Sequence, residues 1–390
     1  MKFIMDKEAQ KLPIFSWCND MEEGAFQQAL DLANHPVTFH HVVALPGLHR
    51  GYGMPIESVI TCDQAVIPNA VGSDIGCGMI AIQTDFPAED IHPEDIKAIM
   101  ERIRGLVPVG FNNHKYPQEW EGFYDPPDLP IVTDQLNAAK KQLGTLGGGN
   151  HFIEMQKGND GKVWGMLHTG SRNFGYKIAK KYNEIAVKLC ARWKSDIPNK
   201  ELAFLPMETR EAKDYLLCMN YALTFAKQNR LLILFALKRA MKTVLCCDFS
   251  DPINIHHNYA RWEHHFNRNV LVHRKGATSA KYGEVGIIPG SMGTPSYIVE
   301  GLGEPNSFTS CSHGAGRAMG RMAASRTLTL EDCNKAMEGI IFGRWGQDRK
   351  GRPDYSEAPQ AYKNIDTVIG AQLDLARPLV QLHPLGVIKG

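Results

Sequence analysis

The sequence predicts an α+β protein folded as one large domain over residues 1–390. Strand-like segments fall in both halves of the chain, long helical segments lie between them, and no repeat or low-complexity linker divides it. Glycine-flanked polar phrases that belong together chemically are shared between the halves, which argues against two independent units. With 43% hydrophobic residues, the chain can bury a substantial core.

Val37 to Leu45 is rich in β-branched and aromatic residues and reads as a strand ending at Pro46-Gly47. Glu57 to Pro68 and Gly78 to Thr84 are further strand candidates, so Asp74 and Cys77 fall in the loop between them. Pro108 to Pro130, dense in Pro, Gly and Asn, reads as irregular. Trp164 to His168 is a short buried strand that delivers His168 at its end. Ile178, Tyr182, Ile185 and Leu189 give helical spacing between Phe174 and Trp193. Glu208 to Phe249 is the longest helical stretch, free of Gly and Pro, and its length suggests at least one break. Strands return at Val270 to His273, Val285 to Ile288 and Tyr297 to Val299. Thr329 with Asp332 three residues later marks a helix start.

The charge balance, 43 Lys+Arg against 42 Asp+Glu, excludes a whole-protein basic field, so a nucleic-acid partner needs a local patch. Arg344, Arg349, Lys350 and Arg352 around Trp345 form such a patch, a pattern shared with ordinary solvated loops. The longest apolar run, Leu231 to Leu237, is about a third of the ~20 residues of a membrane span. Met1-Lys2-Phe3 leads into charged residues rather than an apolar signal segment, and the nine cysteines have no regular spacing. Both point to a reducing cytoplasm.

Four of the fifteen histidines, His151, His168, His257 and His313, lie in short polar phrases. Asp74-Ile75-Gly76-Cys77-Gly78 adds an acid and a thiol at i, i+3. Imidazole and thiolate suit Mn, Zn or Fe better than Mg or Ca, so the set can hold a transition metal. Alone, Asp74 and Cys77 also describe a turn with a buried thiol, and His168 a satisfied core histidine. Gly147-Gly148-Gly149-Asn150-His151-Phe152-Ile153-Glu154 permits close backbone approach to a ligand. His256 and His257, adjacent in an extended segment, face opposite ways, so one of them reaches a given ion. His264 and His265 repeat the doublet in a polar stretch that reads as surface. Pro289-Gly290-Ser291-Met292-Gly293 follows a strand and is built of small residues like a phosphate loop, without a Walker ending. His313-Gly314-Ala315-Gly316-Arg317 puts a histidine at a glycine-rich turn that could open a helix. There a histidine could attack phosphorus with Arg317 stabilising charge; a buried histidine in a tight turn is the alternative.

Together these phrases resemble the RtcB family of GTP-dependent RNA ligases from about Val42 to Gly390. The matching segments, in order, are Asp74 to Met79, Leu143 to Glu154, Arg274 to Ala277, Ile288 to Gly293, His313 to Arg317, Ala361 to Lys363 and Val387 to Gly390. The resemblance implies one RtcB-like domain of mixed β-sheets surrounded by helices. It implies that Asp74, Cys77, His151, His168 and His257 hold two Mn²⁺ ions, with Cys77 bridging. His313 would be the nucleophile that forms a covalent histidine–GMP with GTP. Contacts to guanylate would come from Asn150, His151, Phe152, Ile153, Glu154, His257, Asn258, Pro289, Gly290, Ser291, Met292, Ser296, His313, Gly314, Ala315, Gly316 and Lys389. The Glu154 carboxylate would accept from guanine N1–H and the exocyclic amine, which adenine cannot match.

The implied partner is RNA, with neither DNA nor membrane expected. RNA carrying a 3′-phosphate or 2′,3′-cyclic phosphate would be joined to a 5′-hydroxyl end, in tRNA splicing or RNA repair. One position departs from the family: Gly47 stands where many members carry an aspartate near the reaction centre, although His49 keeps the neighbouring match. Met79 to Leu143 also differs. A metal-dependent cyclic phosphodiesterase or phosphatase would suit the metal residues alone, and a guanylate- or RNA-end-binding protein without ligation would suit Gly47.

Overall fold

The computed structural model describes residues 1–347 and 351–390. Two mixed sheets dominate them. The first has six strands in the order Lys2–Ile4, Ile14–Ser16, Thr38–His49, Ile56–Cys62, Arg268–Lys275, Asn258–His265. The Ile14–Ser16 and Thr38–His49 pair is parallel and the others are antiparallel. The second has eight strands, in the order Ile253–His256, Gly78–Pro87, Lys162–Thr169, Phe152–Gly158, Ala376–Lys389, Ser296–Gly301, Val285–Ile288, with Ile341–Phe342 added parallel to Ala376–Lys389. Helices pack around both, as an α+β fold requires.

The strand Gly78–Pro87 is buried on both faces. Ile80 and Ile82 pack with Ile96, Ile99 and Ile103 of the helix Pro93–Leu106 and with Ile233 and Leu237 of the helix Arg210–Leu245. Met79 and Ala81 point the other way, toward Met166, Ile287 and Leu382. Burial on both faces explains a near-continuous apolar run where a half-exposed strand would alternate. Each large aliphatic side chain buried this way contributes ~1.5–3 kcal/mol.

Several elements differ from the sequence expectation. Arg210–Leu245 is one unbroken helix of 36 residues. The Thr209 hydroxyl caps it by accepting from the Ala212 N–H, and it ends at Cys246 with φ +53°. Without Gly or Pro inside, and with tertiary packing along its length, nothing interrupts it. Thr38–His49 runs through Pro46-Gly47 instead of ending there, with shifted pairing between Ala44 and His49. Glu57 to Pro68 divides into strands Ile56–Cys62 and Ala65–Val66 and the short helix Pro68–Val71. Thr329 caps Leu330–Lys335 as its spacing predicts. No helix among the described residues is long and apolar enough to cross a membrane.

Candidate active site

One rim of the second sheet gathers most of the predicted residues. In register, Gly78 faces Thr169 and His256, Met79 faces His168, and Phe152 faces both His168 and Lys389. The strands at this rim therefore start at Gly78 and Phe152 and end at Thr169, His256 and Lys389, side by side. Asp74 and Cys77 immediately precede Gly78, and the His257 N–H donates to the Cys77 carbonyl at 2.9 Å. His257-Asn258 then carries the chain from the second sheet into the first.

The five candidate metal residues meet there. Cys77 Sγ lies 3.1 Å from His168 Nε2 and 3.4 Å from His151 Nε2. His151 Nε2 is 3.2 Å from Asp74 Oδ2, and the Nε2 atoms of His168 and His257 are 3.2 Å apart. The second ring nitrogens of two of these histidines are held by backbone: His151 Nδ1 at 3.0 Å from Leu146 O, His168 Nδ1 at 3.3 Å from Asn150 O. That arrangement leaves Nε2 with its lone pair for an ion. His257 Nδ1 is buried with no hydrogen-bond partner among the described residues. Donor atoms of Cys77, His151 and His168 all lie within 4.8 Å of one another, with Asp74 beside His151 and His257 beside His168, a donor set that suits a transition metal.

The electrostatics match as well. Burial pushes the Cys77 thiol well above its ordinary value, and the Asp74 charge pushes it further. Burial, and then the neighbouring histidines, hold His168 and His257 well below theirs. Burial opposes ionisation of Asp74, but the hydrogen bond and charge of His151 outweigh it and keep that carboxyl low. Neutral imidazole is the ligating form, and a divalent cation supplies the charge a buried thiolate needs.

A cavity of about 910 Å³ opens on this cluster, within the range of small-molecule sites. Of the predicted nucleotide contacts, Asn150, Phe152, His257, Asn258, Pro289 to Met292, His313 to Gly316 and Lys389 line it. His151, Ile153, Glu154 and Ser296 do not. Glu154 is buried beside the rim, where its Oε2 accepts from Gln156 Nε2 at 2.8 Å, and Gln156 also reaches Ser296 Oγ. Burial raises its carboxyl to about 8 against the opposing charge of Lys389. The His313 ring packs edge-on against His257 with centroids 4.6 Å apart.

His313 does not open a helix as its sequence suggested. It follows the short strand Ser310–Ser312, and the next helix, Arg321–Thr327, begins eight residues later. The glycines after His313 instead allow tight turning, and a Cβ at Gly316 would lie 2.1 Å from the Gly47 carbonyl. Arg317 is bound to Glu357, which also receives Arg321 and Lys389. Burial opposes that carboxyl's charge, but Lys389, Arg321 and the Tyr362 hydroxyl hold it down to about 2. His265 is buried beside Glu263 rather than on the surface. Trp345 packs against Phe342 and Tyr355 and donates to Asn334, which makes it part of a small apolar cluster; Arg349 and Lys350 lie outside the described residues.

The sequence reading missed the residues that brace the site from behind. Asn229 and Arg230 lie fully buried in the middle of the helix Arg210–Leu245. Asn229 accepts from the N–H groups of Gly144 and Thr145 and donates to Thr145 O and Gly170 O. Arg230 donates to Gly76 O at 2.9 Å, to Thr169 O and to Asn254, and its Nη2 lies 3.0 Å from His256 Nδ1. His256 thus faces the helix while His257 faces the cavity, as adjacent residues in an extended segment must. A polar pair inside an otherwise apolar helical face was the available signal.

The family model described as "tRNA-splicing ligase RtcB" matches residues 28–121 and 119–390. The chain is 36% identical over 407 residues to the Escherichia coli protein named RNA-splicing ligase RtcB, covering 98% of each. It is 31% identical over 469 residues to the Pyrobaculum aerophilum tRNA-splicing ligase RtcB, covering 98% of this chain and 96% of the relative. A Nanoarchaeum equitans protein of the same name is 29% identical, with 95% and 92% covered. With a family model that matches nearly the whole chain and relatives above 30% identity covered almost end to end, this protein belongs to the RtcB family.

Proposed function

We propose that the chain is a metal- and GTP-dependent RNA ligase that joins a 3′-phosphate or 2′,3′-cyclic phosphate end to a 5′-hydroxyl end. The observation that carries this reading is one cavity holding both a buried Asp/Cys/His cluster and a separate histidine, His313, beside it. A hydrolase acting through metal alone would have no use for the second histidine. In this reading His313 attacks the α-phosphate of GTP and pyrophosphate leaves. GMP then passes to the RNA 3′-phosphate, the 5′-hydroxyl attacks the activated end, and GMP departs. A cyclic phosphate is first opened by water.

Asp74, Cys77, His151, His168 and His257 would hold two Mn²⁺ ions, which would withdraw charge from phosphoryl oxygens and acidify a hydroxyl or water. Cys77→Ala removes the thiol that reaches both His168, at 3.1 Å, and His151, at 3.4 Å. Mn²⁺ affinity, read by titration against the free-ion spin resonance signal, is expected to fall on the order of 10²-fold or more, since outer-shell losses alone cost about 10–100-fold. Unchanged affinity would remove Cys77 from the ligand set.

Glu154 is the proposed reader of guanine. Its burial leaves few protein donors, so the N1–H and amine of guanine would be strongly preferred partners. Glu154→Ala is expected to lower the preference for GTP over ATP on the order of 10²-fold or more, read as competing nucleotide transfer to the protein. An undiminished preference would place the reader elsewhere. We also infer that residues 1–390 act as one unit, because the candidate ligands come from segments that reach from Asp74 to Lys389. The nine free cysteines, eight of them buried, support placing the protein in a reducing cytoplasm.

The test of the whole reading is a joining assay with purified protein, Mn²⁺, GTP and RNAs bearing 3′-phosphate and 5′-hydroxyl ends. GTP-dependent product, with pyrophosphate released, is the expected result. Opening of cyclic phosphate without GTP and without joining would favour a phosphodiesterase.

A further inference from the structure

Gly47 and Glu57 face one another across the turn that links Thr38–His49 to Ile56–Cys62. A Cβ added at Gly47 would lie 2.5 Å from both Cδ and Oε2 of Glu57, so the Glu57 carboxylate fills the space a side chain at position 47 would take. The Glu57 side chain is wholly buried. Oε2 accepts from the Gly47 N–H at 2.9 Å, and Oε1 accepts from the Gly314 N–H at 3.1 Å. The third partner, 2.9 Å from Oε1, is His313 Nδ1.

The backbone supplies a second, independent observation. Glu57 has φ +64°, a conformation uncommon for residues with a Cβ and easy for glycine. Such strain persists where the surroundings over-determine it, and it concentrates at functional sites. A glycine here would relax the chain but would delete the carboxylate.

We propose that Glu57 is a positioning residue for His313, an assignment that rests on the ligase reading above. A carboxylate can only accept, so the ring proton is on Nδ1 and the lone pair on Nε2. Nε2 is the nitrogen left for the cavity that His313 lines. As the bond from Nε2 to the α-phosphorus forms, the bond from that phosphorus to the bridging oxygen breaks and pyrophosphate leaves with its electron pair. The Nδ1 proton stays in the hydrogen bond to Glu57, whose carboxylate stabilises the positive charge that develops on the ring.

Four proteins test the assignment: wild type, Glu57→Gly, Gly47→Asp, and the double variant. Each is assayed for GMP transfer from α-labelled GTP, for GTP affinity and for melting temperature. Nitrogen NMR, with His313→Ala to assign the signal, reads the His313 tautomer. Glu57→Gly is expected to fold, because glycine suits that backbone, to bind GTP as before, and to transfer GMP on the order of 10²-fold more slowly or worse. Gly47→Asp crowds two carboxylates into one space and is also expected to be slow. The double variant returns an acid to the same place and is expected to regain most of the lost rate, which a merely structural role for Glu57 does not predict.

Wild-type transfer rates in Glu57→Gly overturn the proposal, as does a wild-type His313 protonated on Nε2. A well-folded double variant no faster than Glu57→Gly overturns it too. If wild type shows no transfer but its Nδ1–H tautomer is present and is lost in Glu57→Gly, the positioning role stands and the ligase reading falls.

Discussion

Replacing His313 with alanine is expected to abolish GMP transfer to the protein, by on the order of 10⁴-fold or more, while leaving the metal in place. The expectation of intact metal is geometric. The close contacts of the cluster run Asp74 to His151 to Cys77 to His168 to His257, all between 3.1 and 3.4 Å. His313 meets that chain at the ring of His257, with centroids 4.6 Å apart, and its Nδ1 is already engaged by Glu57. Denaturing electrophoresis after incubation with Mn²⁺ and α-labelled GTP, paired with metal analysis of both proteins, checks the two halves together. An adduct that survives in His313→Ala would move the nucleophile elsewhere. Loss of metal along with the adduct would make His313 a ligand.

The second large effect concerns stability. Glu263→Ala is expected to cost about 3–5 kcal/mol, because it leaves the Arg274 guanidinium buried without its counter-charge. Arg274 is completely buried and donates to Glu263 through both Nη atoms, at 2.6 and 3.1 Å, to Ser310 Oγ, to Tyr259 OH and to Phe308 O. Burial works against the Glu263 charge, but the contact with His265 and the charge of Arg274 overcome it and hold the carboxyl down to about 2. Set against ~4.3 for a free glutamate, that depression corresponds to roughly 3 kcal/mol. The sign follows from the depressed value: the contribution is present above the unfolded value and disappears as pH falls toward about 2. Denaturant unfolding at neutral pH and near pH ~3 should therefore bring wild type and variant closer together in acid. A constant difference across that range would assign the loss to packing alone. The effect also reaches the site, since Arg274 fastens the strand that ends beneath His313 to Ser310, which precedes it.

The candidate ligands and cavity-lining phrases were legible in the sequence because each is local: a few polar residues among glycines, attached to the end of an apolar strand. Strand faces and the opposite orientations of His256 and His257 follow from a two-residue period and need no long-range information. What was not legible depends on contacts between distant segments. Gly47 read as a missing acid, yet the Glu57 carboxylate fills its place from across a turn, and only the three-dimensional pairing brings the two together. Glu357 gathers Arg317 and Arg321 from one segment and Lys389 from another. The length of Glu208 to Phe249 suggested a break, whereas the helix continues, and its buried Asn229 and Arg230 are satisfied by loop backbone far away in sequence. His265 looked exposed because its neighbours in sequence are polar; Glu263 and the ring of Phe308 bury it.

The strand Ala376–Lys389 lies between Phe152–Gly158 and Ser296–Gly301, in the interior of the eight-stranded sheet. During synthesis its two neighbours emerge from the ribosome long before it does. Until residues 376–389 arrive, the sheet has a gap bordered by two unpaired edges, each displaying free N–H and C=O groups beside apolar faces. Such edges invite pairing with other chains, and closure through contacts this distant in sequence is slow. The nascent chain therefore carries this aggregation hazard until residues 376–389 have emerged and paired, and protection by a chaperone would matter most before then.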